Sequence, residues 1–385
     1  MSTHKRSIEK NYLFYFNKTK TSDLTRLVFT NTSKYLFGSF VPDPIENYDL
    51  CNLDYKTIQK AKKRGKYIVL DSTKEGFSTI YSMPNIKLIY SMIEQFGLMP
   101  SKVIYVTMNL IEQENVANWA KKNNVEPVHV FSRPFLILDA INSDMKTGTS
   151  DVQLSRVKEQ VYKRKEIDKL VLNLNGRFRP YRSDFAFYLG TSEISQHILL
   201  SHLDKFNRKS STVNFSDRTP KQKKRWSEKT PIIIDNTMRH RFLHHTTSNL
   251  HNQTIFELVN ETLVEDWYQT SREYSEKTFK PITQFQPFLI YGQKGCNLYL
   301  KNLGFRPYHD WFDLSFDEID DPIDRMMAVY KIVKDTVATL TKMTEREKVE
   351  WRFKNESVLI DNYERLLELE KFVLDETKTF FGSLP

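Results

Sequence analysis

The sequence predicts an α/β protein of two domains. Three observations carry that expectation. The chain has 385 residues, the length of about two ordinary domains. Short apolar runs alternate with stretches of helical spacing, the pattern of βαβ units around a parallel sheet. The pattern stops at a polar, highly charged stretch over residues 143–166 and then restarts. The expected divisions are residues 1–150, residues 151–345 and a terminal helical segment, 346–385.

In the first domain, residues 12–16 (YLFYF) and 26–30 (RLVFT) read as strands. So do 67–71 (YIVLD), 103–107 (VIYVT) and 128–131 (VHVF). Helical spacing precedes or separates them around 86–96 and 111–122. The connector 143–166 shows almost no strand signal and reads as partly helical. The second domain opens with a strand over 169–174 (KLVLNL) and a helix over 183–189. Further strands are expected at 231–234 (PIII), 256–260 (FELVN) and 287–291 (PFLIY), and helices at 294–303 and 323–342. The last stretch, 345–380, places Leu359, Ile360, Tyr363, Leu366, Leu369, Phe372 and Val373 near helical spacing. It reads as one long or two broken amphipathic helices.

Composition narrows the function classes. Apolar residues at 39% and aromatics at 13% can build real cores, which excludes a disordered chain. With 11 Gly and 14 Pro, collagen-like and low-complexity classes are excluded. Two cysteines, Cys51 and Cys296, make neither a disulfide framework nor a four-cysteine zinc site, and they fit a reducing cytoplasm. No run of 18 apolar residues occurs, so no membrane-spanning helix is expected, and the N-terminus shows no secretion signal. The net charge of +9 favours polyanions such as nucleic acid or nucleotide phosphates.

Four local patterns point to chemistry. The run 169–184, KLVLNLNGRFRPYRSD, sets a strand end, Asn175 and the guanidinium groups of Arg177, Arg179 and Arg182 before a helix. Arginine forks suit phosphate oxygens, and helix N-termini attract anions. In YSEKTFKP, Glu276 and Lys277 open a second helix. A carboxylate there can accept hydrogen bonds from sugar hydroxyls while the lysine meets a phosphate; a capping Glu beside a solvated Lys is the plainer reading. Residues 205–229 hold nine Lys or Arg against Asp217 and Glu228, about +7 of the chain's +9. Lys221, Lys223, Lys224 and Arg225, interleaved with Phe206, Phe215 and Trp226, suit nucleic-acid phosphates on a mobile loop. Finally, Asp71 and Glu75 stand at or just after a strand end, where a general base for a hydroxyl acceptor could act.

The segments LVNET, SEKTFKPI, QPFLIYG and LKNLGF, in that order, resemble a family of glycosyltransferase-like proteins of tailed bacteriophages and giant viruses, with fucosyltransferases as more distant relatives. The arginine run is similar to that family's Arg-rich segment, although Gly176 delays its first Arg and Tyr181 replaces its usual His. The likeness spans about residues 166–340. It implies a GT-B architecture: two Rossmann-like domains facing a cleft, with a C-terminal helix packing across both. It implies a nucleotide-diphosphate sugar, UDP-linked above all, held by Asn175, Arg177, Arg179, Arg182, Glu261, Glu276, Lys277 and Gly292. The acceptor it suggests is 5-hydroxymethylcytosine in double-stranded phage DNA, receiving glucose or a pentose such as arabinose. A surface glycan or virion protein is the alternative acceptor, and a non-catalytic nucleic-acid-binding protein the alternative class. No Asp-x-Asp follows a strand, so no metal cofactor is expected; Asp320 and Asp321 read as a helix cap. The group His240, His244, His245 and His251 matches no zinc spacing.

Overall fold

The computed structural model describes residues 35–39, 55–71, 82–134, 137, 149–175, 180–202, 219–232, 234, 250–261, 264 and 272–383. The chain forms two compact units. Met1–Asp139, Asp266–Tyr274 and Glu370–Pro385 make the first, and Ala140–Glu265 with Ser275–Leu369 the second. The boundary near 140 lies ten residues before the expected one. The first unit also takes back two later segments, which linear reading of composition cannot anticipate.

In the first unit, β1 (Tyr35–Ser39), β2 (Tyr67–Asp71), β3 (Val103–Thr107) and β4 (His129–Ser132) form a parallel sheet in chain order. Helices α1 (Tyr55–Lys63), α2 (Ser82–Phe96) and α3 (Glu112–Asn123) connect them. Every residue of β3 is buried, as expected of a strand covered on both faces. In α2, Ile86, Ile89, Met92 and Ile93 line one helical face and pack on Ile68, Leu70, Val103 and Tyr105. The helix α3 ends on Asn124 in the left-handed region, at φ 53°. The strand β1 and the helix α1 were not expected, because YLFGS ends in Gly and Ser and α1 carries four lysines among its nine residues. The strands expected at 12–16 and 26–30 lie outside the described residues.

In the second unit, β5 (Val171–Asn173), β6 (Ile198–Leu200), β7 (Phe256–Asn260) and β8 (Phe288–Tyr291) form a parallel sheet in the order β6-β5-β7-β8. The expected connector is largely α4 (Ser150–Tyr162), which buries Leu154, Val157 and Val161 at helical spacing. Helix α5 (Pro180–Thr191) follows β5, and α6 (Pro220–Lys229) comes after β6. Helix α7 (Glu276–Thr283) precedes β8, and α8 (Cys296–Tyr299) is a single turn continued by a 3-10 turn over Leu300–Leu303. The helix expected at 294–303 is thus broken in two. Of the strand expected at 231–234, the described residues show only Ile232 paired, with His202 in an isolated antiparallel bridge. Helices α9 (Pro322–Leu340), α10 (Glu345–Arg352) and α11 (Glu356–Ser383) complete the chain. The residues of α11 up to Leu369 belong to the second unit and those from Glu370 to the first.

Among the described residues, no helix is long and apolar enough to cross a membrane.

Candidate functional site

The second sheet has a topological switch point. From β5 the chain steps to β6 on one side, then returns to β7 and β8 on the other. Connections leave in opposite directions between β5 and β7, which opens a crevice at their carboxyl ends. The first sheet runs in plain chain order and has no such point among its described strands.

The residues at those carboxyl ends are polar and buried. Asn173 ends β5, Asn175 follows it, and Ser201 follows β6. Asn260 ends β7, and Glu261 follows it. The Asn175 amide N–H donates to Ser201 Oγ at 2.9 Å, which fixes the turn leaving β5. Of the three predicted arginines, Arg177 and Arg179 lie outside the described residues. Arg182 is placed differently from expectation. Helix α5 starts at Pro180, three residues early, so Arg182 sits in its first turn and is buried. Proline at the first helical position explains the early start, since its φ is already helical. The neighbouring Ser183 meets His202 Nε2 at 3.1 Å.

The start of α7 gathers most of the other predicted residues. Ser275 caps the helix, accepting from the Lys277 amide at 3.3 Å. Glu261 Oε1 accepts from the Ser275 amide at 3.0 Å and from Thr278 Oγ1 at 2.6 Å. Glu261 is therefore the residue that ties α7 to the end of β7, and this oxygen is already engaged. Glu276 and Lys277, both partly exposed, form an ion pair at 2.8 Å. Burial pushes the Glu276 carboxyl up, but Lys277 and Lys280 outweigh it and hold it at about 2. The turn thus presents an ionised carboxylate and an ammonium side by side.

Gly292 follows β8 where a side chain would crowd the site. A Cβ there would come within 3.1 Å of Cys296 Sγ and 3.2 Å of Glu261 Cβ. The buried Arg325 donates from Nε to the Gly292 carbonyl at 3.1 Å and from Nη2 to the Val264 carbonyl at 2.7 Å. It pins the loops after β7 and β8 together. Sequence reading missed Arg325 as a site residue, since it lies 33 positions from Gly292 and sits inside an ordinary amphipathic helix.

Below these groups lies a second buried set. Burial pushes the Glu257 carboxyl up to about 8, although Lys280 and Lys277 pull the other way. His251 is held neutral, its ring pushed down to about 3 by burial. Its Nδ1 meets Gln286 Oε1 at 2.6 Å. The same nitrogen stands 3.3 Å from Glu257 Oε2; His240, His244 and His245 lie outside the described residues. Asp321 caps α9 by accepting from the Ile323 and Asp324 amides, and Asp320 pairs with Lys294 at 2.7 Å. Among the described residues no group of three or more His, Cys, Asp or Glu could hold a metal ion.

In the first unit, Asp71 ends β2 in register with Val106, and Glu75 lies outside the described residues. The carboxyl end of β3 carries a polar set that sequence reading missed. Asn109 Nδ2 donates to the fully buried Glu112 at 2.6 Å. Asn109 Oδ1 accepts from the Arg272 amide at 2.9 Å, and the Leu110 amide donates to the Arg272 carbonyl at 2.9 Å. These partners stand 163 residues apart, so no local pattern could join them.

The basic segment also departs from expectation. Its last part is not a loop but the helix α6, closed by a capping box between Thr219 and Gln222. Trp226 is buried rather than offered to a base. It lies edge-on to Phe187 at 5.9 Å and against Gly190, where an added Cβ would overlap its ring. Trp226 thereby docks α6 on α5, leaving Lys221, Lys224 and Lys229 exposed. The side chains of Lys223 and Arg225 lie outside the described set.

No protein-family model, curated protein or solved structure matches this chain.

Proposed function

We propose that the protein is a glycosyltransferase of the GT-B type that takes a nucleotide-diphosphate sugar, UDP-linked first among them. The observation that carries this reading is the start of α7. There an ionised Glu276 and Lys277 stand on a helix N-terminus that Glu261 ties to a strand end beside the switch point. A helix N-terminus with an adjacent cation favours a diphosphate, and the carboxylate favours sugar hydroxyls. In this reading Lys277 and Arg182, with Arg177 and Arg179, meet the charge that develops on the leaving diphosphate. Glu276 orients the ribose or the sugar. Asp71, or Glu75 after it, takes the proton of the acceptor hydroxyl. Gly292 keeps the wall beside Glu261 open. The leaving-group charge is met by protein cations, so activity is expected to survive EDTA.

The exposed lysines of α6 favour a polyanionic acceptor, with 5-hydroxymethylcytosine in double-stranded DNA as the specific proposal. Reaching such a base in a duplex requires its extrusion. The test is incubation with hydroxymethylated DNA and a panel of nucleotide sugars, followed by mass spectrometry of the nucleosides. A sugar-bearing nucleoside is the expected product. Sugar turnover without DNA modification would move the acceptor to a glycan or protein. Failure to bind any nucleotide sugar would leave a nucleic-acid-binding protein.

A further inference from the structure

Three asparagine side chains meet at the switch point, and their hydrogen bonds leave one acceptor unused. Asn173 Nδ2 donates to the Leu258 carbonyl at 2.7 Å. A carbonyl can only accept, so this bond fixes which way the Asn173 amide faces. Its Oδ1 then takes Asn175 Nδ2 at 2.6 Å and Asn260 Nδ2 at 3.3 Å. Asn260 Nδ2 also donates to Asn175 Oδ1 at 3.0 Å. Turning the Asn260 amide over would set its oxygen against two other oxygens. The triangle therefore has one orientation, and in it Asn260 Oδ1 has no hydrogen-bond partner. Asn260 is 1% exposed.

A buried acceptor left without a donor has lost its water and gained nothing in return, so its retention calls for a partner that arrives from outside. A neutral acceptor suits a hydroxyl or amide donor and not a phosphate. We propose that Asn260 Oδ1 is a specificity-determining subsite that accepts a hydrogen bond from a sugar hydroxyl of the ligand bound at the switch point between β5 and β7. The hydroxyl comes from the nucleoside ribose or from the transferred sugar. This inference rests on the nucleotide-sugar reading above and divides its site by chemistry. Charged groups at α7 and α5 take the phosphates, and the asparagine triangle reads a hydroxyl.

The experiment measures affinities of UDP, GDP, their 2′-deoxy and 3′-deoxy analogues, and UDP-glucose, for the wild type, Asn260→Leu and Asn260→Asp. Loss of one neutral hydrogen bond is expected to weaken binding about tenfold. For a ribose hydroxyl, one deoxy analogue binds about tenfold more weakly than its parent to the wild type, and Asn260→Leu binds parent and analogue alike. For the transferred sugar, Asn260→Leu weakens UDP-glucose and leaves UDP unchanged. Asn260→Asp keeps an acceptor and retains the discrimination. Wild-type affinities for all probes in a folded Asn260→Leu overturn the subsite while leaving the nucleotide-sugar reading in place. No binding of any probe by the wild type overturns both. Should Asn260→Leu not fold, a crystal structure of the wild type with UDP-glucose decides. A ligand hydroxyl within hydrogen-bond distance of Asn260 Oδ1 supports the subsite, and an ordered water alone there overturns it.

Discussion

At the scale of single residues, the site separates groups that hold from groups that are offered. Glu261 and Arg325 are buried and engaged with backbone, so removing either loosens the loops they join. Lys277 is different, because it is partly exposed and its main contact is the adjacent Glu276. Lys277→Ala is expected to lower nucleotide-diphosphate affinity at least tenfold, since a charge-assisted hydrogen bond contributes about 1.5–3 kcal/mol. Its melting temperature should fall as well, though the fold should hold, because Lys277 helps keep the mostly buried Glu276 carboxylate ionised. Calorimetric titration and a thermal scan check the two together. Unchanged affinity in the folded variant would remove Lys277 from the site.

At the scale of elements, α6 shows how a polar sequence gains a fixed position. Its cations give it no reason to pack, and one tryptophan seated on Gly190 supplies it. Gly190→Ala places a methyl where the ring lies, so α6 must shift. Overpacking of this kind typically costs about 1–3 kcal/mol, readable as a fall in the urea midpoint and as altered Trp226 fluorescence. The exposed face of α6 makes a separate prediction. Replacing Lys221 and Lys224 by Gln should weaken DNA binding independently of sequence. Each lost phosphate contact should flatten the salt slope of log affinity by about 0.9. Nucleotide affinity should be unchanged, and an unaltered salt slope would remove α6 from the polyanion surface.

At the scale of the molecule, the two parallel sheets differ in strand order, and only the second has a switch point among its described strands. The second unit also carries three groups whose titration bears on stability against pH. His251 titrates at about 3 when folded against 6.5 ordinarily, so its contribution is complete above 6.5 and is lost as pH falls toward 3. Glu257 titrates at about 8 against 4.5, so its contribution is complete below 4.5 and is lost as pH rises through 8. Glu276, held at about 2, adds to the loss below 4.5. The two slopes oppose each other between 4.5 and 6.5. Stability should therefore rise to a plateau in that window and decline from 6.5 to 8. Urea midpoints across pH give the profile. Glu257→Gln, which cannot ionise, should abolish the alkaline decline, and a decline that persists would place its origin elsewhere.

The sequence alone points to the α/β class, because short β-branched apolar runs such as YIVLD and VIYVT, set between helical stretches, suit strands buried on both faces. It determined the cap at Asp321 and the helical start at Glu276, since caps and first turns depend on neighbours in the chain. It could not determine which strand lies beside which, because β5 and β7 are joined by a long excursion and pair only in space. The buried Trp226, the bond of Asn109 to Arg272, the hold of Arg325 on Gly292 and the asparagine triangle were all decided by the tertiary structure. Each depends on partners dozens of residues apart. Sequence patterns record the environment along one element, whereas a side chain's hydrogen-bond partner is set by how separate elements stack.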